Sequence, residues 1–137
     1  MMLKVIIVDD DPVTLFIHRQ NVIKSGLSLD PLTFLNGKET LNYLEEHTDE
    51  DVVHFILLDI NMPEMNGWQF LQALKNKDAE RVYTVVVSSS VDSRDHLKAQ
   101  EFKSVIGYLE KPMSVALLRD FMGASAFDVV RNFMDKA

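Results

Sequence analysis

The chain has 137 residues, of which 47% are hydrophobic and 26% charged, with a formal net charge of −7 and no cysteine. This length suits one domain, and the composition argues against a disordered chain. The acidic balance argues against a general nucleic-acid binder, and the lack of cysteine excludes disulfides and thiolate metal sites. No apolar run approaches the roughly 20 residues of a membrane span, so we expect a soluble, cytoplasmic protein.

Five apolar segments alternate with five segments that carry helical spacing or helix-capping residues. The strands are predicted at Leu3–Asp9, Asp30–Phe34, Val53–Asp59, Thr84–Ser88 and Ile106–Glu110. The helices are predicted at Pro12–Ser25, Lys38–Glu46, Trp68–Asn76, Arg94–Phe102 and from Ser114 onward. This alternation predicts an α/β fold, a doubly wound five-stranded parallel sheet with helices on both faces. Strands one, three and four are the most apolar and should be central, whereas Pro31 suits an edge strand.

Two helical segments carry further expectations. Apolar residues fall near one face of the first helix, at Val13, Phe16, Ile17 and Ile23, which is typical of a packed face. We expect residues 1–124 to form the domain and residues 125–137 to extend the fifth helix, with Gly123 as a break point. This extension either packs on the sheet and then frays, or is an amphipathic segment that binds a partner or a second copy of the chain.

Polar side chains follow four of the apolar segments. The first runs into Asp9-Asp10-Asp11, the third ends on Asp59, the fourth runs into Ser88-Ser89-Ser90, and the fifth precedes Lys111-Pro112. Because parallel strands bring their carboxyl ends to one edge, a single cleft should gather these groups. Acids that bind a divalent cation, a hydroxyl and an ammonium group together suit a phosphoryl group.

Four motifs, in order, resemble those of the receiver domains of bacterial two-component response regulators, the chemotaxis-regulator-like family. They are Val8-Asp9-Asp10, the stretch from Leu58 to Gly67 with Asp59-Ile60-Asn61-Met62-Pro63, a hydroxyl residue that closes strand 4, and Lys111-Pro112. The resemblance covers about residues 3 to 124 and implies a flavodoxin-like (βα)5 sandwich.

The resemblance also implies roles for individual residues. Asp59 would be the phosphoacceptor, receiving the group from a histidine kinase or a histidine phosphotransfer protein. Mg²⁺ would be held by Asp9, Asp10, Asp59 and the backbone carbonyl of Asn61, with Asp10 as a direct ligand and Asp9 acting through water. Lys111 would bind a phosphoryl oxygen, aimed into the cleft by a cis peptide bond to Pro112. Asp11, directly before Pro12, is interpreted as a helix cap outside the site.

The switch residues implied by the resemblance leave one choice open. Counting back from Lys111 by the common family spacing indicates Ser89 as the strand 4 hydroxyl, whereas the end of the apolar run indicates Ser88. A one-residue insertion between Phe102 and Tyr108 would reconcile the two, and we favour Ser88. Tyr108 occupies the aromatic switch position, and its alternative interpretation is a half-buried strand tyrosine with its hydroxyl in water.

The function implied is a signalling switch, whose face of helix 4, strand 5 and helix 5 contacts a downstream protein. Direct nucleic-acid or membrane binding is not expected, and a homodimer is left open. The alternatives are a phosphate sink, an unphosphorylated docking module, and an aspartyl-nucleophile phosphatase, which would need an acid where Asn61 stands. The histidines at 18, 47, 54 and 96 have no ligand spacing and are expected at the surface or its boundary.

Overall fold

The computed structural model describes residues 2–48, 51–77, 79–89 and 92–134. Five parallel strands form one sheet in the order β2-β1-β3-β4-β5. The strands are β1 Met2–Val8, β2 Leu32–Phe34, β3 Val52–Asp59, β4 Val82–Ser88 and β5 Val105–Glu110. The helices are α1 Pro12–Ser25, α2 Gly37–Glu46, α3 Gly67–Asn76, α4 Ser93–Ala99, α5 Val115–Met122 and α6 Asp128–Arg131. The predicted α/β sandwich is confirmed, with strand 2 at an edge.

The sheet is buried on both faces, so its central strands are apolar throughout. On one face, alternate strand residues such as Ile7, Phe55 and Val85 pack with α1, α5 and the C-terminal segment. On the other face, residues such as Ile56 and Leu58 pack with α2 and α3. None of the helices in the described part of the chain is long and apolar enough to cross a bilayer.

Side-chain caps fix where the helices begin and therefore where the polar loops lie. Asp11 accepts a hydrogen bond from the backbone N–H of Val13 (3.0 Å) and caps α1, as predicted for the residue before Pro12. Ser114 caps α5 in the same manner through the N–H of Leu117 (3.0 Å). Such caps satisfy backbone donors that the first helical turn leaves without partners.

The interpretation of the apolar spacing in α1 as a packed face is wrong. Val13, Phe16 and Ile17 are 67%, 64% and 46% exposed. The buried residues of α1 are Leu15, His18, Val22 and Ser25. Two of these four are polar, and their hydrogen bonds allow them to be buried. The spacing of apolar residues alone therefore did not indicate the packed face.

The segment after α5 breaks at Gly123 and does not extend that helix as predicted. The helix ends at Met122 with Gly123 as its C-cap, and the chain then forms a 3-10 turn at Ser125–Phe127 followed by α6. This break lets Phe127 and Val130 turn back into the core, where both are fully buried. The ring of Phe127 packs against Phe55, with ring centroids 5.8 Å apart. Residues 135–137 lie outside the described part of the chain.

An irregularity between β4 and β5 accounts for one additional residue in strand 5. Thr84 pairs with Val105, whereas the next residue, Val85, pairs with Gly107, so that Ile106 has no partner in β4. Beyond this bulge, the register places Ser88 opposite Glu110. A Cβ on Gly107 would lie 2.4 Å from the ring of Phe121, so a side chain there would displace that ring.

Candidate functional site

Asp9 and Asp59 lie side by side at the carboxyl edge of the sheet. The strands that precede them pair in parallel, with Val8 opposite Leu58. Both carboxyl groups are buried, at 1% and 2% exposure, and each accepts a hydrogen bond from the backbone N–H two residues later. These bonds, 2.9 Å for Asp9 and 3.0 Å for Asp59, fix one oxygen of each carboxylate.

Lys111 joins the two acids. Its Nζ lies 2.7 Å from Oδ2 of Asp9 and 3.2 Å from Oδ2 of Asp59. The peptide bond between Lys111 and Pro112 is cis, and the backbone N–H of Lys111 donates to the carbonyl of Ser88 (2.8 Å). Burial lowers the pKa of Lys111, but the bonds to Asp9 and Asp59 outweigh burial and leave that pKa raised. The lysine is therefore a fixed positive charge in the cleft.

The electrostatic surroundings of Asp59 oppose its ionisation. Burial raises the pKa of Asp59 to about 6, against the lowering effect of the hydrogen bond from the Asn61 N–H. The charge of Asp9 also contributes to this raised pKa, and Lys111 opposes it. A buried carboxylate of this kind gains from any additional cation.

Three acids form a cluster that suits such a cation. Ligand atoms of Asp9, Asp10 and Asp59 lie within 4.8 Å of one another. Both oxygens of Asp9 already contact protein groups, the N–H of Asp11 and the ammonium group of Lys111. Asp10 is exposed. An all-oxygen donor set that leaves room for water is the kind that Mg²⁺ prefers.

The loop between β3 and α3 holds the backbone of Asn61 against Asp59. Gly67 donates its N–H to the carbonyl of Ile60 (3.1 Å), which closes the loop at its base. A Cβ on Gly67 would lie 2.7 Å from the Cα of Ile60 and 3.0 Å from the carbonyl oxygen of Asp59. Glycine is therefore needed here for close approach of two backbone segments. The preceding residue, Asn66, caps α3 in a reciprocal bond pair with Gln69.

The hydroxyl residues at the end of β4 differ in their surroundings. Ser88 is fully buried, whereas Ser89 is exposed, and Ser90 lies outside the described residues. Tyr108 is half-buried, and its hydroxyl interacts with the side chains of Ser88 and Asp95, the latter at 3.5 Å. Burial raises the pKa of Tyr108, and the bond with Ser88 lowers it. Its ring stacks on His96, with centroids 4.2 Å apart.

Two histidines do not lie where the sequence analysis expected them. His18 and His54 are both buried, at 1% and 4% exposure, while His47 and His96 are exposed. His18 belongs to the neighbourhood of Lys111, since its Nε2 accepts from the N–H of Met113 (3.1 Å). Its position three residues after Leu15 and four before Val22 is a helical-period signal that could have indicated burial.

A family model described as a response regulator receiver domain matches residues 5–122. The chain belongs to this family. Among curated relatives, the receiver domain is similar to the chemotaxis protein CheV1 of Helicobacter pylori, with 31% identity over 73% of this chain and 33% of the relative. It is also similar to the transcriptional regulatory protein HptR of Staphylococcus aureus, with 28% identity over 89% of this chain and 46% of the relative. The chain thus spans about a third to a half of these relatives.

Solved structures show the same fold. A two-component response regulator from Cytophaga hutchinsonii has a TM-score of 0.79 and 25% identity, over 96% of this receiver domain and 98% of that chain. A response regulator receiver protein from Dyadobacter fermentans has a TM-score of 0.76 and 30% identity, over 88% and 94% of the two chains. The expected family and fold are therefore confirmed.

Proposed function

We propose that this receiver domain accepts a phosphoryl group on Asp59 and converts its arrival into a change of a protein-binding surface. The observation that carries the proposal is the buried pair of Asp59 and Asp9 with the ammonium group of Lys111 between them. A nucleophilic carboxylate, a metal-binding acid and a fixed cation are what transfer of a phosphoryl group to a carboxylate requires.

In the transfer step, one carboxylate oxygen of Asp59 attacks the phosphorus of a phosphohistidine. The new P–O bond forms an acyl phosphate, the P–N bond breaks, and its electron pair returns to the histidine nitrogen of the kinase or phosphotransfer protein. Lys111 neutralises one phosphoryl oxygen as charge moves onto the group. Hydrolysis by water later resets Asp59. The domain catalyses only its own phosphorylation and dephosphorylation and is a signalling module.

Mg²⁺ would be held by Asp10, Asp59 and the backbone carbonyl of Asn61, with Asp9 acting through water. The cluster of three acids supports this assignment, as does the engagement of both Asp9 oxygens by protein groups. When bound, the ion supplies positive charge that neutralises phosphoryl oxygens and orients the incoming group. The raised pKa of Asp59 fits a carboxyl group that is fully ionised once this cation is in place.

The switch consists of Ser88 and Tyr108. Ser88, rather than Ser89, donates a hydrogen bond to a phosphoryl oxygen. It is the buried hydroxyl residue at the end of β4, and its carbonyl accepts from the backbone N–H of Lys111. Turning the Ser88 hydroxyl toward the phosphoryl group releases its bond to Tyr108, and the ring then shifts relative to His96 on α4. This couples Asp59 to the face formed by α4, β5 and α5, where a downstream protein binds in the cytoplasm.

An apolar surface beside the site suits the protein that donates the phosphoryl group. Val13, Phe16 and Ile17 are exposed on α1, which begins at Pro12, two residues after Asp10. Exposed apolar residues in a group of this kind are typical of a protein-binding surface. The phosphohistidine partner would contact this helix while its imidazole reaches Asp59.

Amide chemical shifts test the switch, measured without ligand and with Mg²⁺ and beryllofluoride. We expect changes at Asp59 and Ser88, and also at Tyr108 and along α4, since the phosphoryl mimic biases a two-state element. A matched titration of Asp59→Asn should show no changes at Tyr108 or along α4. Changes confined to residues that touch the ligand would contradict the switch and leave the domain as a phosphate sink.

A further inference from the structure

A four-residue link, Lys111 to Ser114, connects β5 to α5 and carries the lysine of the site. One end is tied to β4, because the N–H of Lys111 donates to the carbonyl of Ser88 (2.8 Å). The other end begins a helix, where Oγ of Ser114 accepts from the N–H of Leu117 (3.0 Å). The direction of the Lys111 side chain therefore depends on how the middle of this link is held.

Helix α1 holds the middle of the link through both backbone groups of Met113. The N–H of Met113 donates to Nε2 of His18 (3.1 Å), and the carbonyl of Met113 accepts from Nδ2 of Asn21 (2.9 Å). The two side chains are three residues apart on one face of the helix, so they project together. Met113 and His18 are both 1% exposed, so water cannot replace the bond between them.

The protonation state of His18 follows from its partner. A backbone N–H only donates, so Nε2 of His18 must be unprotonated for the bond to exist. The charged groups near the ring are Asp9 and Lys111, which act in opposite directions, and burial is the dominant influence that lowers the pKa of His18. The neutral ring is thus the form that binds Met113, and its other nitrogen carries the proton.

We propose that His18 and Asn21 are positioning residues for the phosphoryl-binding Lys111. By fixing both backbone groups of Met113, two residues after the lysine, they hold the link so that Nζ points at Asp9 and Asp59. This inference rests on the proposed role of Lys111 in phosphoryl transfer. A purely structural role, in which the two side chains only satisfy a buried backbone, would affect stability alone and would not act through the lysine.

The test is a double-mutant cycle read by the rate of phosphorylation with acetyl phosphate and Mg²⁺, followed by intact mass. His18→Leu removes the acceptor but keeps an apolar side chain of similar reach. We expect it to lower the rate constant about tenfold, the loss that follows from one broken buried hydrogen bond. His18→Gln, whose amide oxygen can accept from the same N–H, should stay within about threefold of the wild type.

The decisive arm repeats His18→Leu in a Lys111→Met background. A residue that acts through Lys111 has no lysine to position in this background. We therefore expect the phosphorylation rate of Lys111→Met to agree within about twofold with that of the double variant. The two acids should stay in place in His18→Leu, because each is held by its own backbone N–H bond.

Two further variants serve as a control and as a second test of the same link. Ser25→Ala removes a buried hydroxyl on the same face of α1 that bonds the carbonyl of Val22 (2.7 Å), and should leave the rate unchanged. Asn21→Leu repeats the comparison from the second bond if His18→Leu does not fold. A wild-type rate in His18→Leu, or an equal loss with and without Lys111, would overturn the inference. A wild type that takes no phosphoryl group would overturn the proposed function itself.

Discussion

Asp9 and Asp59 are two buried carboxylates that share one ammonium group, Nζ of Lys111. Two buried carboxylates so close together repel each other, and a single cation offsets only part of that repulsion. Burial, with a smaller contribution from the charge of Asp9, raises the pKa of Asp59 to about 6 despite Lys111. The site is therefore short of positive charge, which a divalent metal ion would supply.

His54 is a buried titratable residue outside the site, at the opposite end of β3 from Asp59. Its Nε2 is buried without a hydrogen-bond partner among the described residues, and its ring packs edge-on against Tyr43, with centroids 5.8 Å apart. Burial, with smaller contributions from the charges of His47 and Lys4, lowers the pKa of His54 to about 4. The unfolded chain therefore binds a proton on this ring at a higher pH than the folded chain does.

We expect the free energy of unfolding to respond to pH through His54. Because its pKa is lower in the folded state, His54 weakens the fold by about 2 kcal/mol between about pH 7 and about pH 5. Asp59 acts in the opposite direction, since its raised pKa lets the folded state bind the extra proton. The measurement is therefore the difference between wild type and His54→Leu, by urea unfolding at the two pH values.

The His54→Leu variant should lose less stability on acidification than the wild type, by about 2 kcal/mol. His96→Gln, a change at an exposed histidine, is the control and should respond to pH as the wild type does. Parallel pH dependences for wild type and His54→Leu would show that His54 is not buried in the neutral form.

At the scale of elements, the C-terminal segment is part of the core. The ring of Phe127 packs against Phe55 and Phe121, with ring centroids 5.8 and 5.9 Å away. Arg131 of α6 reaches back to the carbonyls of Met122 and Ala124. Because Phe127 and Val130 are buried in the hydrophobic core, they are not part of an exposed binding face.

Phe127→Ala should reduce the free energy of unfolding by about 3–5 kcal/mol, the range for a fully buried phenylalanine. The matched control is Val129→Ala in the same segment. Val129 is 41% exposed, and its replacement should change stability by less than about 0.5 kcal/mol. Urea unfolding at one pH compares the two variants. Equal and small effects would mean that the segment after Gly123 is not docked on the sheet in solution.

For the molecule as a whole, the strand ends and the chemistry at the sheet edge could be predicted from the sequence. Apolar runs that stop at Asp59 and at the start of Asp9-Asp10 place the acids at the carboxyl edge by the logic of a parallel sheet. The site acids and Lys111 meet there in the structure. These features are local in sequence, or follow from the topology alone.

Features set by contacts between distant residues could not be predicted. The bond from the N–H of Met113 to His18 joins residues that are 95 positions apart, although the spacing of His18 from Leu15 and Val22 is compatible with a buried face. Helix α5 ends at Met122, next to the expected break point Gly123. The turn that brings Phe127 against Phe55 could not be predicted, because helical spacing alone does not show how a segment packs.

The measurement that tests the central claim most directly is the site of phosphoryl attachment. The protein is incubated with acetyl phosphate and Mg²⁺, and its intact mass and peptide masses are compared with those of Asp59→Asn. We expect a single phosphoryl adduct on the wild type, in the peptide that contains Asp59, and none after removal of Mg²⁺ with a chelator. Asp59→Asn should fold normally and carry no adduct. A single adduct on that variant would contradict the account, because the acceptor would then be another residue.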